Sequence, residues 1–420
     1  DREGVILDRK EVRFGMREIG REGLKFTVNG RPTTMRATLE DFIFPLTGYP
    51  PKDVASWRKI ISVAKSYGLN MFRFHSCTPP DAAFRAADEL GFYFQVEVPG
   101  TSCPTSEPSE VTDYLFEELK RMVYTYGNHP SMLFVSMGNE QLVTYPDSEF
   151  FAKHKANLMQ KVAWGQEADP RHLYTCSTQP YTPGRNDDFY VSAWGPIRPS
   201  PLAGIRWSGG PVIDWSRFNT DPPNTNFDYR DAIEGIDRPV MSHEVGQWQV
   251  YPDLKEISRY HGAKRAFNYE TFRDDLRKKG RLELANDYMR ASGQLAVALY
   301  REEIESALRT PNMGGFQLLD LHDYTGQGTS TVGILNSLWE SKGLITPEEF
   351  RSSCGPVVAL ARLAKRTWTN TDQFQATLEL SNYGPSDLTD LRTIWRLQDS
   401  RGRIYASGEF DHSAAQGELT

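Results

Sequence analysis

At 420 residues, with 39% hydrophobic and 25% charged residues, the chain has ample material for a soluble core, and α/β barrels of this size fold as single units. Its net charge of −7, with acidic and basic residues interspersed, disfavours a nucleic-acid partner, which calls for a basic stripe. No apolar run reaches the length of a membrane span, and Cys77, Cys103, Cys176 and Cys354 form no CxxC or Cys/His cluster, so neither a membrane partner, a metal site, a cofactor nor a disulfide framework is expected.

The chain starts at Asp1 without an initiator Met or a signal peptide, and it reads as a portion of a longer protein. Residues 1–24 hold short alternating pieces such as EVRFGMREI, expected to be the end of an upstream β domain and a linker. KFTVNGRPTTMRATLE then reads as strand, turn, strand. Asn29-Gly30 is a strong hairpin signal, and the second strand is expected to end near Arg36–Glu40. From there strand and helix patterns alternate. VASWRKIISVAKSYG, PDAAFRAADELG, VTDYLFEELKRMVYTYGNHP, FAKHKANLMQKVAWGQEADP and LANDYMRASGQLAVALYREEIESALR carry apolar residues at helical spacing, several closed by Gly or Pro. LNMFRFHS, FYFQVEVP, SMLFVSMGNE, HLYTCST, FYVSAW, PVMSHEVGQW and MGGFQLLDLHDY read as strands. The stretch 195–237, rich in Pro, Gly and Trp, shows no clear period.

Eight strands joined mostly by helices predict an α/β fold, a parallel (β/α)8 TIM barrel over residues 25–365. No GxGxxG or P-loop supports a doubly wound sheet instead. From 366 to 420 the texture changes to short alternating strands with Asn-Tyr-Gly and Ser-Arg-Gly turns, the expected start of a C-terminal β-sandwich of immunoglobulin-like type.

Barrel chemistry collects at the C-terminal ends of strands. The fourth strand ends at Glu140 and the seventh carries Glu244, so both carboxylates are expected on one face. Two such groups can flank a glycosidic bond, one donating a proton to the leaving oxygen and the other attacking the anomeric carbon or activating water. The blocks FGMREI, FTVNGRPTTMRATLE, NMFRFHSCTPPDAAFRAADELGFYFQVEV, YGNHPSMLFVSMGNE, DPRHLYT, RPVMSHEVG and GGFQLLDL, in this order over about residues 12–345, resemble glycoside hydrolase family 2. The resemblance implies a retaining, exo-acting glycosidase. Glu140 would be the acid/base and Glu244 the nucleophile. Asn139 would be the amide that meets the substrate 2-hydroxyl, and Arg73 the cation that keeps the nucleophile ionised. The substrate would be an oligo- or polysaccharide. A periplasmic or secreted location is expected rather than a cytoplasmic one, and a homo-oligomer is left open.

The chain departs from the family pattern at strand ends. It has RATLED after the first barrel strand, Phe74-His75-Ser76 after the second, Glu244-Val245 at the seventh and QLLDLHDYTGQG at the eighth. Glu40, His75, Trp194, Trp248, Asp320, His322 and Asp323 are therefore the candidates for sugar contacts, the Trp residues by stacking. The set Arg36, Arg73, His75 and His322 raises a uronic acid as one substrate, because Arg pairs carboxylates bidentately. Two alternatives remain: a carbohydrate-binding barrel without catalysis, and an endo-glycanase of the same clan.

Overall fold

The computed structural model describes residues 8–100, 109–141, 149–178, 184–193, 221–325 and 331–420. Three short antiparallel strands open it: β1 (Ile19–Glu22), β2 (Lys25–Val28) and β3 (Arg31–Thr33). Asn29 and Gly30 both take positive φ (51° and 73°), as the expected hairpin turn requires. The division expected at residue 24 falls inside this sheet, because β1 folds back onto β2. The single strand expected after the hairpin is two, broken at Thr34, with β4 (Met35–Glu40) passing into the barrel.

Eight strands form one parallel sheet in the order β8-β7-β6-β5-β4-β11-β10-β9. They are β4, β5 (Met71–Phe74), β6 (Tyr93–Glu97), β7 (Met132–Ser136), β8 (Leu173–Thr175), β9 (Tyr190–Ser192), β10 (Val240–Gly246) and β11 (Gly315–Leu319). The outer strands β8 and β9 meet through a bridge between Thr178 and Val191, so the sheet curls into a nearly closed barrel. All five helices expected between the strands are present, at Val54–Ser66, Asp81–Leu90, Ser109–Tyr126, Glu149–Ala168 and Ala285–Leu308. Asp53 caps the first by accepting from Ser56 N, and Gly91 ends the second in the left-handed conformation. Trp57, Ile60, Ile61 and Ala64 of the first helix are buried against the outer face of the sheet, in the main apolar cluster. The helix Phe267–Lys278 comes in addition to those the periodicity predicts. Among the described residues no helix is long and apolar enough to cross a membrane.

The hairpin serves as a floor. Phe26 is fully buried, with its ring 5.0 Å from Phe134 and 5.9 Å from Phe189, in a cluster with Met35, Met71, Leu133, Val191 and Met241 from the start of the barrel strands. The N-terminal end of the barrel is thereby closed, and polar side chains gather at the other end.

After the barrel come a three-stranded antiparallel sheet of β12 (Val357–Arg362), β13 (Thr377–Asn382) and β16 (Glu418–Leu419), and a hairpin of β14 (Leu388–Gln398) and β15 (Ile404–Ala414). The sheet reaches back across the division expected at residue 366, since β12 pairs along its whole length with β13. Arg362 ties it to the barrel side, with Nε 2.7 Å from Glu379, Nη1 2.8 Å from Asp228 and Nη2 donating to Arg309 O at 2.9 Å.

Candidate active site

Non-glycine residues at positive φ gather at the C-terminal ends of the barrel strands: Phe42, Ser76, Glu140, Glu244 and Gln247. Such conformations are uncommon outside glycine and cluster where a chain holds a functional group in place. For Glu140 and Glu244, φ is 48° and 51°.

Glu244 owes its aim to a second device. Along the β10–β11 ladder Ser242 pairs with Phe316 and Val245 with Leu318, so His243 and Glu244 together stand opposite the one residue Gln317. This is a β-bulge, which breaks the alternation of side chains and re-aims them. Both His243 and Glu244 consequently serve one site. The His243 Nε2 lies 3.3 Å from Glu244 Oε1 and 3.4 Å from Asn139 Oδ1.

Arg73, fully buried at β5, ties the site together. Its Nε donates to Glu97 Oε1 at 2.8 Å, its Nη1 to Glu244 Oε1 at 3.0 Å, and its Nη2 to Asn139 Oδ1 at 2.5 Å and Thr178 Oγ1 at 3.0 Å. Glu97 is held in turn by the Ser76 backbone N–H at 2.7 Å. Thr178 Oγ1 also donates to Asn139 Oδ1, at 2.9 Å, and its carbonyl accepts the Glu140 N–H at 2.9 Å. Three donors thus converge on Asn139 Oδ1, which fixes the orientation of the amide and leaves its NH2 as the end that can meet a ligand.

The electrostatics follow from these contacts. Burial opposes ionisation of Glu244, but the His243 imidazole, the Arg73 guanidinium and the His75 imidazole, in that order, outweigh it and hold the carboxyl down to about 2. Burial lowers His243 to about 3, so at neutral pH it is an uncharged ring donating Nε2–H to its two oxygen acceptors. All the polar neighbours of Glu244 lie on Oε1, His75 Nε2 at 3.8 Å included, and among the described residues Oε2 meets no donor. One carboxylate oxygen of Glu140, one of Glu244 and a ring nitrogen of His243 lie within 4.8 Å of one another. That spacing also suits a metal ion, but a guanidinium 3.0 Å from the same carboxylate repels a cation there. The arrangement suits paired-carboxylate chemistry better.

A second group lies beside the first, at the ends of β4 and β11. Glu40 Oε1 accepts the Phe42 N–H at 3.0 Å, while Asp320 Oδ1 accepts from Leu321 N at 2.6 Å and from the Thr38 hydroxyl. His322 Nε2 faces their other oxygens, 3.7 Å from Glu40 Oε2 and 3.6 Å from Asp320 Oδ2, with the Trp339 ring centroid 4.2 Å from its own and tilted by 38°. His75 Nδ1, 3.9 Å from Asp41 Oδ1, links this group to Glu244.

Glu140, Asn139, Glu244, Arg73 and His75 thus come together at one end of the barrel, and Glu40, Asp320 and His322 form the adjoining wall. Asp323 is occupied elsewhere: its oxygens take Lys342 Nζ at 2.6 Å, Tyr269 OH at 3.1 Å and Gly333 N at 2.8 Å. Trp248 is half-buried against the main apolar cluster, and Trp194 lies outside the described residues. Arg36 sits at the far end of its strand, where Nε donates to Gly68 O at 2.8 Å. Sequence reasoning missed Glu97, Thr178, Asp41 and His243. The strand-end rule that found Glu140 would also have found Glu97. No sequence signal marks the bulge that turns His243 inward.

A family model described as a domain of unknown function (DUF8488) matches residues 372–420. A β-galactosidase of Lactococcus lactis subsp. lactis (strain IL1403) is 26% identical over 147 residues, covering 33% of this chain and 14% of that protein. Among solved structures, a β-D-mannosidase from Dictyoglomus thermophilum superposes with a TM-score of 0.63 at 15% identity, covering 99% of this chain and 51% of that one. A β-glucuronidase from Lactobacillus rhamnosus gives 0.57 at 18% identity, covering 84% and 55%, and a GH2 β-galacturonidase from Eisenbergiella tayi bound to galacturonate gives 0.55 at 15%, covering 82% and 55%. The chain spans about half the length of these solved relatives. The resemblance to glycoside hydrolase family 2 read in the sequence therefore holds at the level of the fold.

Proposed function

We propose that this chain carries the catalytic barrel of an exo-acting retaining glycoside hydrolase. The observation that supports it most is the pairing of Glu140 and Glu244. One oxygen of each lies within 4.8 Å of one oxygen of the other, a nearness that supports a retaining pair, whose carboxyl groups stand roughly 5–5.5 Å apart, over an inverting one at roughly 6.5–9.5 Å. The two groups are also set up for different tasks. Glu244 is ionised at any ordinary pH and has Oε1 anchored, so Oε2 is the atom free to attack the anomeric carbon. Glu140 has the role of general acid, protonating the leaving oxygen as the C–O bond breaks. It then takes a proton from the water that hydrolyses the glycosyl–Glu244 ester. The Asn139 amide NH2 is placed for the sugar 2-hydroxyl, where a hydrogen bond strengthens as positive charge develops at the anomeric carbon. The wall of Glu40, Asp320 and His322, each at most 1% exposed, favours a recess over a through-running cleft, and hence the exo mode.

The test is covalent trapping. A 2-deoxy-2-fluoro glycoside with a good leaving group is expected to add one glycosyl mass to the intact chain, on a peptide containing Glu244, and to leave Glu244→Gln unlabelled. Turnover of aryl glycosides with inverted product stereochemistry and no labelling would defeat the retaining reading. Absence of turnover on a full panel of neutral and acidic aryl glycosides would defeat the hydrolase.

A further inference from the structure

We infer that Glu40, Asp320 and His322, with Asp41 beside them, read the hydroxyl groups of a neutral sugar and reject one that carries a carboxylate. This rests on the glycosidase reading above and adds the substrate class to it.

The first argument is the donor and acceptor balance of the wall. Glu40 Oε2, Asp41 Oδ2, Asp320 Oδ2 and His322 Nε2 are buried and have no hydrogen-bond partner. His322 Nδ1 lies 2.8 Å from the carbonyl of Asp323 and so carries the ring proton, which makes Nε2 an acceptor. Buried polar atoms normally have partners, and among the described residues these four have none. Sugar hydroxyls are donors of the required kind, and a vicinal pair can serve two of these atoms at once. A uronate carboxylate brings two more acceptors and a negative charge.

The second argument is the position of the cations. A uronate needs an Arg or Lys, and among the described residues Arg73, Lys342 and Arg36 are engaged or distant. Arg73 is matched by Glu97 and Glu244. Lys342 is matched by Asp323. Arg36 is bonded to Gly68 O, four residues before Glu40 and so about 13 Å down the strand. Burial and their mutual repulsion already push Glu40 up to about 8, and burial pushes Asp41 to about 6. A further carboxylate would join a set that is reluctant to carry its own charge. The residues concerned come from RATLED and QLLDLHDY, two of the places where this chain departs from the family pattern.

The experiment compares matched pairs on the chain as it stands: 4-nitrophenyl galactoside against galacturonide, and glucoside against glucuronide, with mannoside added. The neutral member that is cleaved is expected to exceed its uronide at least about 100-fold in kcat/KM, since like charges set side by side in an interface are strongly disfavoured. Asp320→Asn and Glu40→Gln keep the oxygens that accept from Leu321 and Phe42 and put an amide NH2, a hydrogen-bond donor, where the partnerless oxygen stood. Either is expected to narrow that ratio about tenfold or more. A uronide cleaved as well as its neutral partner, or a ratio unmoved in both variants, overturns the assignment. A binding arm separates this from failure of the chemistry. Calorimetry on Glu244→Gln with galactose, glucose and mannose against galacturonate and glucuronate is expected to show a neutral sugar bound and neither uronate. Uronate binding of equal strength, or no sugar bound at all, overturns the inference even if no substrate turns over.

Discussion

Removing the Arg73 guanidinium should move the titration of Glu244 by an amount that the geometry sets. Nη1 lies 3.0 Å from Oε1, and both groups are buried. For charge centres about 4 Å apart at an effective dielectric near 20, the attraction is about 4 kcal/mol, or about three pK units. Glu244 starts at about 2, so without Arg73 it should titrate near 5. The simple variant Arg73→Met would strand the fully buried Glu97 without its cation, which typically costs about 3–5 kcal/mol. The informative protein is Arg73→Met/Glu97→Gln, which removes both charges.

Two assays read the shift. In kcat/KM against pH on an aryl glycoside, the acid limb that belongs to the ionised nucleophile should rise to about pH 5. The second assay is urea denaturation against pH. The folded-state value of Glu244 is depressed, from 4.5 to about 2, so its stabilisation is present above about 4.5 and is lost as pH falls toward 2. The wild type should lose about 3 kcal/mol across that window from this group, and the double variant almost none of it. An acid limb that stays in place, together with an unchanged slope of stability below pH 5, would show that Arg73 does not hold Glu244 ionised.

Glu140→Gln should spare aryl glycosides with good leaving groups, fail on natural linkages and recover turnover with azide, which needs no general base; equal loss on both substrate types without rescue would mean the roles are misassigned. Asn139→Ala should lower kcat/KM about 30- to 1000-fold while barely changing ground-state binding. That effect should largely vanish on a 2-deoxy substrate, which lacks the partner hydroxyl. Gly246→Ala should destabilise the fold by about 2–4 kcal/mol, read as a lower urea midpoint at constant slope. A Cβ there would lie 2.2 Å from Tyr300 Cε1, on a residue with φ +94°.

Much of the fold was legible because its signals are local. Asn29-Gly30 fixes a turn, a terminal glycine stops the Asp81–Leu90 helix, and alternation of strand and helix dictates parallel pairing. The carboxylates were legible for the same reason: Glu140 and Glu244 follow directly from where strands end. What escaped depends on pairing between distant segments. The inward turn of His243 exists only because Gln317 faces two residues of β10, and alternation along β10 alone would send it to the other face. The pairing of Asp323 with Lys342 bridges two loops, so Asp323 read as a sugar contact while it holds the chain together. Arg36 read as part of a basic pocket because the sequence order was weighed without the length of the strand between it and Glu40.

The same dependence on pairing explains how two strained carboxylates are kept. A non-glycine residue in the left-handed region costs roughly 1–2 kcal/mol, and Glu140 and Glu244 both bear it. What offsets it at Glu244 is the bulge, which fixes the backbone, and three polar groups on Oε1, which fix the side chain. At Glu140 the backbone N–H is held by Thr178, and Thr178 is also the residue through which β8 and β9 meet to close the barrel. Arg73 bonds to Thr178, Asn139, Glu97 and Glu244, and so joins the closure of the sheet to the placing of both carboxylates. Strands alone would space these groups by register. The shared guanidinium makes their separation a property of one buried network, so a change to any member is felt at the others and the substitutions around it should not add.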